Sequence, residues 1–154
     1  ELTSSAFDDQ DVIPTTYAMP GAGGQNFSIP YKWSNPPTGT QSFALTLLDP
    51  HPVANNWIHW LVINLPPDCK QLPEGASGGG LPRGSKELTN SFGSIGYGGP
   101  QPPAGTGEHP YVATLFALDI PELNLPEDAS LDQFHNAIQG HILAQADYTG
   151  TFEQ

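Results

Sequence analysis

The 17 glycines and 17 prolines of this 154-residue chain constrain its fold more than any other feature of the sequence. They recur in short clusters along the whole chain and do not gather in one tail. Proline cannot donate a ladder hydrogen bond and glycine favours turns, so each cluster is expected to end a regular segment. No repeat of roughly 20–50 residues is present. The pattern predicts many short strands in one mainly β domain over residues 1–154.

Five segments have the composition of strands. The segment "SFALTLLD" (42–49) is an almost continuous apolar run, which is typical of a buried central strand. Two further apolar runs are "WIHWLVINL" (57–65) and "YVATLFALD" (111–119). The segment "NFSIPYKW" (26–33) alternates, with its apolar residues on one face, and "YTGTFEQ" (148–154) is expected to close the sheet.

One helix is predicted, in "SLDQFHNAIQGHILAQA" (130–146). Ser130 and Gln133 have the spacing of a capping box, in which each side chain satisfies a backbone N–H group at the start of a helix. Gly140 weakens the middle of the helix by about 1 kcal/mol relative to alanine. The apolar residues that recur at helical spacing are Leu131, Phe134, Ile138 and Ile142. We expect an amphipathic helix that packs on the sheet.

The charge of the chain excludes two classes of partner. Lys and Arg number 4 against 16 Asp and Glu, which gives a net charge of −12. A nucleic-acid-binding protein needs a basic stripe, and bulk attraction to anionic lipid surfaces needs the same sign of charge. No apolar run approaches the ~18–20 residues of a membrane span. The compartment is left open, with the cytoplasm favoured over an extracytoplasmic location.

Two segments resemble a nucleotide-binding motif and a serine-hydrolase motif, but each departs from its motif at one essential position. In "GGLPRGSK", Ser85 separates the second glycine of a phosphate loop from its lysine. In "FGSIGYG", Phe92 stands where the first glycine of the GxSxG nucleophile elbow belongs. No cofactor is therefore expected.

Polar residues mark the ends of the three buried strands. Asp49 ends the first strand, His59 begins the second, and His109 and Tyr111 begin the third. On the second strand, alternation predicts one shared face for Trp57, His59, Leu61 and Ile63. The strand ends would converge beneath the Gly- and Pro-rich segment 73–110, or each polar residue would be satisfied separately; the sequence leaves both arrangements open.

The residue types favour anion binding if the strand ends converge. No HExxH or CxxC spacing occurs, so a metal would require ligands assembled over long range, and none is expected. Acid–base catalysis needs a nucleophile or a paired carboxylate, and the sequence marks neither. Histidines, a tyrosine hydroxyl and a tryptophan wall supply the donors and the shape that an anion needs.

Four motifs in order resemble those of a known family. They are "SFALTLLDPHP", "WIHWLVINLP", "GYGGPQPPAGTGEHPY" and "GHILAQADYTGTF". The first three resemble the DPDxP, WxH and GYxGPxPPxGxxHRY segments of the phosphatidylethanolamine-binding proteins, also called Raf-kinase-inhibitor-like proteins. The fourth is similar to the C-terminal segment of the prokaryotic branch. Together with "LTSSAF" and "WSNPPTGTQSFAL", the resemblance covers nearly the whole chain.

The resemblance implies an antiparallel β-sandwich, with a large central sheet, a second sheet and a C-terminal helix. It also implies a small pocket for phosphate-like anions, including phosphorylated head groups of phospholipids, and no catalysis. A kinase or serine protease bound through the surface is the alternative function, a metal-dependent enzyme is a third, and a homodimer is expected. The pocket residues carried over are Asp49, His59, His109 and Tyr111, with Trp57 and Pro103 as walls and Pro52 at a cis bend.

Two positions depart from the family motifs. His51 replaces the second aspartate of DPDxP, and Pro110 replaces the arginine of HRY. Our hypothesis is that an acid and a base that face each other in relatives are lost together, so His51 is left out of the site and the grip on an anion is weaker. Because histidine gains charge on protonation, anion binding is expected to tighten below about pH 6.5.

Overall fold

The computed structural model describes residues 1–154 as eight strands in two antiparallel sheets, with one α-helix. The strands are β1 (Leu2–Thr3), β2 (Tyr31–Trp33), β3 (Ser42–Asp49), β4 (Trp57–Leu65), β5 (Gln71–Leu72), β6 (Lys86–Glu87), β7 (His109–Leu118) and β8 (Ile142–Phe152). The helix α1 spans Leu131–Ile138, and two short 3-10 turns span Thr15–Tyr17 and Pro20–Ala22.

The large sheet has the strand order β6-β4-β3-β7-β8, and the small sheet has the order β1-β2-β5. One apolar cluster lies between the sheets and includes Leu45 and Trp60 from the large sheet and Tyr31 from the small one. A second cluster lies under α1 and includes Leu61 and Phe134. The large sheet is therefore covered on both faces, and the predicted mainly β sandwich is confirmed.

The capping box of α1 is confirmed, but the predicted end of the helix is wrong. Ser130 Oγ accepts from the N–H of Gln133, and Gln133 Oε1 accepts from the N–H of Ser130. Gly140 has a φ of +83°, the left-handed conformation that ends helices, and the chain then enters β8. Ile142, predicted on the packed face of the helix, lies instead in β8 and is 41% exposed.

With eight residues, α1 is too short to cross a membrane, and no other helix could do so.

The strands predicted from apolar runs match the structure better than the strand predicted from alternation. β3 and β4 have the predicted bounds. In the alternating segment 26–33, only Tyr31–Trp33 forms a strand, and Phe27 is 43% exposed. Pro30 has no N–H group to donate to a ladder, so the regular strand begins after it.

A β-bulge in β4 changes the direction of one side chain. Leu47 of β3 lies opposite Trp60, whereas the next residue, Leu48, lies opposite Ile58. His59 is therefore an extra residue on β4, and a bulge turns such a residue away from strict alternation.

The bulge makes one prediction wrong. Leu61 and Ile63 pack in the cluster under α1, whereas His59 faces the other side of the sheet, with its ring 5.0 Å from that of Tyr111. The four alternating residues of β4 therefore do not share a face, because the extra residue shifts the alternation by one position.

Candidate functional site

A cavity of about 440 Å³ opens where β3 ends and where β4 and β7 begin. Its volume lies in the range of roughly 300–1,000 Å³ that is usual for small-molecule sites. The residues that line it are Asp49, Val53, Ala54, Trp57, His59, Phe92, Gln101, Pro102, Pro103, His109 and Tyr111.

The order of the central strands explains why these side chains meet. β3 runs between β4 and β7 and is antiparallel to both, so its end lies beside their beginnings. Asp49 at the end of β3 pairs with Trp57 at the start of β4. A second cavity of about 470 Å³ lies near the small sheet, beside Tyr17 and Glu74. It contains none of the polar residues that end the three central strands.

His59 is held by the backbone of Gly98 on two sides. Its Nδ1 lies 2.7 Å from the carbonyl oxygen of Gly98, and the N–H of Gly98 donates to the carbonyl of His59 at 2.8 Å. Because a carbonyl can only accept, Nδ1 carries the proton, and Nε2 of the neutral ring is an acceptor. Burial lowers the pKa of His59, which favours the neutral ring near pH 7.

Gly98 also allows the cavity wall to approach. A Cβ atom added at this glycine would lie 2.6 Å from Cδ2 of Phe92. Phe92 makes edge contacts with the rings of both Trp57 and His59. The Gly- and Pro-rich segment 73–110 therefore supplies one wall of the cavity and the carbonyl that orients His59.

His109 is held at both ring nitrogens by the protein. Its Nδ1 lies 2.7 Å from Oδ2 of Asp49, and its Nε2 lies 2.8 Å from Oγ1 of Thr106. The hydroxyl of Thr106 lies 2.7 Å from the carbonyl of Pro103 and can donate to it. The other carboxylate oxygen of Asp49 accepts the backbone N–H of His51 at 2.9 Å. Asp49 and His109 are both buried, so these contacts satisfy groups that water cannot reach.

His51, which sequence analysis left out of the site, lies against it. Its ring stacks on that of His109, with centroids 3.8 Å apart and planes 5° from parallel. The N–H of Val53 donates to its Nδ1 at 3.1 Å, which fixes the neutral tautomer that carries its proton on Nε2. Its position two residues after Asp49 was the one signal in the sequence that could have placed it here.

Tyr111 contains the only buried side-chain polar atom of the chain that lacks a hydrogen-bond partner. The residue is 1% exposed, and its hydroxyl oxygen makes no hydrogen bond within the protein. Burial raises the pKa of Tyr111, with a smaller contribution from the charge of Asp49, so the hydroxyl keeps its proton. Tyr111 lines the cavity, and its hydroxyl is therefore an unused donor in the cavity wall.

Six of the seven predicted site residues line the cavity: Asp49, Trp57, His59, Pro103, His109 and Tyr111. Pro52 is exposed and does not line it, and its neighbours Val53 and Ala54 do. All peptide bonds are trans, so the expected cis bend at Pro52 is absent. A short turn, in which the N–H groups of residues 54 and 55 donate to the carbonyl of residue 51, directs Pro52 outwards.

Some lining residues were missed because loops supply them. Phe92, Gln101 and Pro102 belong to no strand or helix, so periodicity carries no signal for them. No Lys or Arg lines the cavity. No group of three or more His, Cys, Asp or Glu side chains is arranged to hold a metal ion.

Comparison with known proteins gives a family and close relatives. The family model described as phosphatidylethanolamine-binding protein matches residues 3–153. The UPF0098 protein YbhB of Escherichia coli (strain K12) is 37% identical over 157 residues, which cover 99% of each chain. A UPF0098 protein of Methanothermobacter thermautotrophicus is 37% identical over 154 residues, which cover 99% of this chain and 98% of the relative.

Solved structures share the fold over the whole chain. The crystal structure of E. coli YbcL, described as a new member of the mammalian PEBP family, has a TM-score of 0.94 and 31% identity and covers 100% of this chain and 98% of YbcL. The homologue CT736 from Chlamydia trachomatis has a TM-score of 0.85 and 34% identity, covering 99% of this chain and 96% of CT736. A phosphatidylethanolamine-binding protein from Plasmodium vivax, 16% identical, shares the fold at a TM-score of 0.63.

Proposed function

This chain belongs to the phosphatidylethanolamine-binding protein family, with relatives of the prokaryotic type, and we propose that its cavity binds a phosphate-like anion without catalysing a reaction. The anion is either free or the phosphorylated head group of a phospholipid. The observation that carries the proposal is the unpartnered hydroxyl of Tyr111.

A buried hydroxyl without a partner is costly, and a ligand can remove the cost. Leaving such a donor unsatisfied costs about 1–3 kcal/mol, which the folded protein bears while the cavity is empty. An oxyanion is a strong acceptor, and hydrogen bonds to charged groups contribute about 1.5–3 kcal/mol. Tyr111 therefore favours a ligand that brings a negatively charged oxygen to its hydroxyl.

The walls of the cavity complement this donor. Trp57 and Phe92 form an apolar side, and His59 and Tyr111 form a polar side. Apolar walls lower the local dielectric, which strengthens each polar contact that the ligand makes. A ligand with a compact polar group and an apolar extension, such as a lipid head group with its glycerol, matches both sides.

The arrangement of hydroxyl groups supports binding without catalysis. The ring of His109 connects the carboxylate of Asp49 to the hydroxyl of Thr106. This is the order of carboxylate, imidazole and hydroxyl that a nucleophilic triad has. However, the hydroxyl of Thr106 lies within donating distance of the carbonyl of Pro103, and Thr106 does not line the cavity. A ligand in the cavity would thus meet no activated nucleophile.

Titration calorimetry with inorganic phosphate, phosphoethanolamine and vesicles of phosphatidylethanolamine tests the proposal and separates the sources of the anion. We expect saturable binding of at least one of the three, weakened about tenfold in Tyr111→Phe by loss of one hydrogen bond to a charged group. With the protein present, the rates of ester hydrolysis and phosphate release should equal the rates in buffer alone. Absence of binding, equal affinity in Tyr111→Phe, or turnover of the ligand would contradict the proposal.

The resemblance also implies other partners. A kinase or serine protease bound through the surface, and a homodimer, stay predictions from that resemblance.

A further inference from the structure

No permanently charged cation lines the cavity. The titratable side chains that line it are Asp49, His59, His109 and Tyr111, and neither Lys nor Arg is among them. Asp49 is the only carboxylic acid among them. A ligand with two negative charges would therefore meet a carboxylate and no compensating cation.

The ring of His59 presents an acceptor to the cavity. Its Nδ1–H group donates to the carbonyl of Gly98 at 2.7 Å, and its Nε2 has no hydrogen-bond partner in the protein. A bare oxyanion cannot approach this nitrogen favourably, because two lone pairs would face each other. A ligand O–H group, by contrast, can donate to it.

The hydroxyl of Tyr111, on the neighbouring ring, is a donor without a partner. The rings of His59 and Tyr111 meet edge to face, with centroids 5.0 Å apart. The ring nitrogens of His109 are held by Asp49 and Thr106, so they supply no further donor while these contacts last. The polar side of the cavity thus presents one donor and one acceptor.

We propose that the cavity selects an oxyanion that carries its own proton, namely the monoanion of phosphate or of a phosphomonoester, over a fully deprotonated oxyanion such as sulfate. A charged phosphate oxygen accepts from the hydroxyl of Tyr111, and the protonated phosphate oxygen donates to Nε2 of His59. The inference deepens the proposed anion-binding function and rests on it.

The selection depends on pH in a defined direction. Sulfate brings no proton, so its complex requires a proton on Nε2 of His59, and the buried ring takes that proton only under acidic conditions. The titratable groups that face His59 are Asp49, His109 and Tyr111, and His51 stacks behind His109. Of these, only the carboxylate favours the charged ring. Sulfate binding should therefore strengthen steeply as pH falls, and phosphate binding should change less.

The test compares inorganic phosphate with sodium sulfate by titration calorimetry on the wild-type protein. At about pH 7, we expect phosphate to bind at least about tenfold more tightly, because sulfate brings no proton to donate to Nε2 of His59. At about pH 5, where the ring of His59 is more often protonated, the ratio should fall several-fold.

Nitrogen-15 NMR of the histidine rings locates the proton directly. In the phosphate complex at about pH 7, Nε2 of His59 should keep the chemical shift of an unprotonated nitrogen. In the sulfate complex, it should have the shift of a protonated one. A doubly protonated His59 in the phosphate complex would overturn the inference.

Two variants complete the experiment. In His59→Gln, the side-chain amide can donate as well as accept, so the preference for phosphate should largely disappear. His141→Gln is the matched control, since His141 pairs with Asp119 at the far end of β7. Equal affinities for phosphate and sulfate at about pH 7 would refute the proposal that the cavity selects an oxyanion with its own proton. The proposed binding of anions would not be affected by that result. Failure of both anions to bind would refute the proposed function and the inference with it.

Discussion

Replacing Tyr111 with phenylalanine removes one buried oxygen atom and should stabilise the empty protein. The residue is 1% exposed, and its hydroxyl has no hydrogen-bond partner. An unsatisfied buried hydroxyl costs about 1–3 kcal/mol, and phenylalanine fills the same volume apart from that oxygen. In a domain of this length, each kcal/mol shifts the Tm by about 2–4 °C. The expected rise in Tm is therefore about 2–12 °C.

The same substitution should have the opposite effect on the complex. A ligand stabilises the folded protein in proportion to the logarithm of its concentration relative to its Kd. Because Tyr111→Phe is expected to bind phosphate more weakly, added phosphate should stabilise it less than it stabilises the wild type. The Tm advantage of the variant should shrink as phosphate is added.

Thermal unfolding, followed by circular dichroism with and without phosphate, measures both effects. Tyr97→Phe is the matched control, because Tyr97 is 6% exposed and its hydroxyl donates to the carbonyl of Tyr17 at 2.8 Å. That variant loses a satisfied hydrogen bond and should be destabilised by about 1 kcal/mol, independently of phosphate. If Tyr111→Phe lowers the Tm as Tyr97→Phe does, the hydroxyl of Tyr111 is satisfied in the folded protein and the reasoning fails.

Three further substitutions test separate parts of the structure. Gly98→Ala should displace the ring of Phe92 and weaken phosphate binding several-fold in calorimetry, whereas Gly79→Ala, where no atom lies within 4 Å of an added Cβ, should leave it unchanged. The pKa of His59 is lowered in the folded protein, so its ring is protonated at a higher pH in the unfolded chain than in the folded protein. The free energy of unfolding should therefore fall as the pH decreases below about 6.5. Urea denaturation across this range should show a smaller fall in His59→Gln. Ser130→Ala removes the capping box of α1 and should cost about 0.5–2 kcal/mol in the same assay; no change would mean that the cap is dispensable.

The parts of the fold that the sequence predicted well depend on burial on both faces. β3 and β4 are predominantly apolar, because β3 lies at the centre of the sheet and both faces of the sheet are covered. Such a run has clear ends, so the predicted bounds agree with the structure. The C-terminal helix was predicted too long because Ile142 continues the helical spacing, although it lies beyond the left-handed Gly140.

The candidate site was predicted where strand ends supply it and missed where loops do. Asp49, His59 and His109 lie at strand ends, so their convergence follows from the order of the three strands. The direction of His59 depends on a bulge, which inserts one residue into the pairing and leaves no mark in the pattern of apolar residues. Phe92 and Gly98 contribute through a loop, whose path depends on contacts that are distant in sequence.

His51 and Pro110 stand where the motifs that this chain resembles have an acid and a base, which bears on the charge of the site. His51 does not take over the role of an acid: its backbone N–H binds Asp49, and its ring covers that of His109. The carboxylate of Asp49 accepts from the backbone N–H of His51 and contacts Nδ1 of His109, and no arginine adds a positive charge to the cavity. Under the proposed selection, the complex with an anion contains an additional proton, brought either by the ligand or by His59. The net charge of −12 works in the same direction, since it disfavours the approach of a doubly charged ligand more than that of a singly charged one.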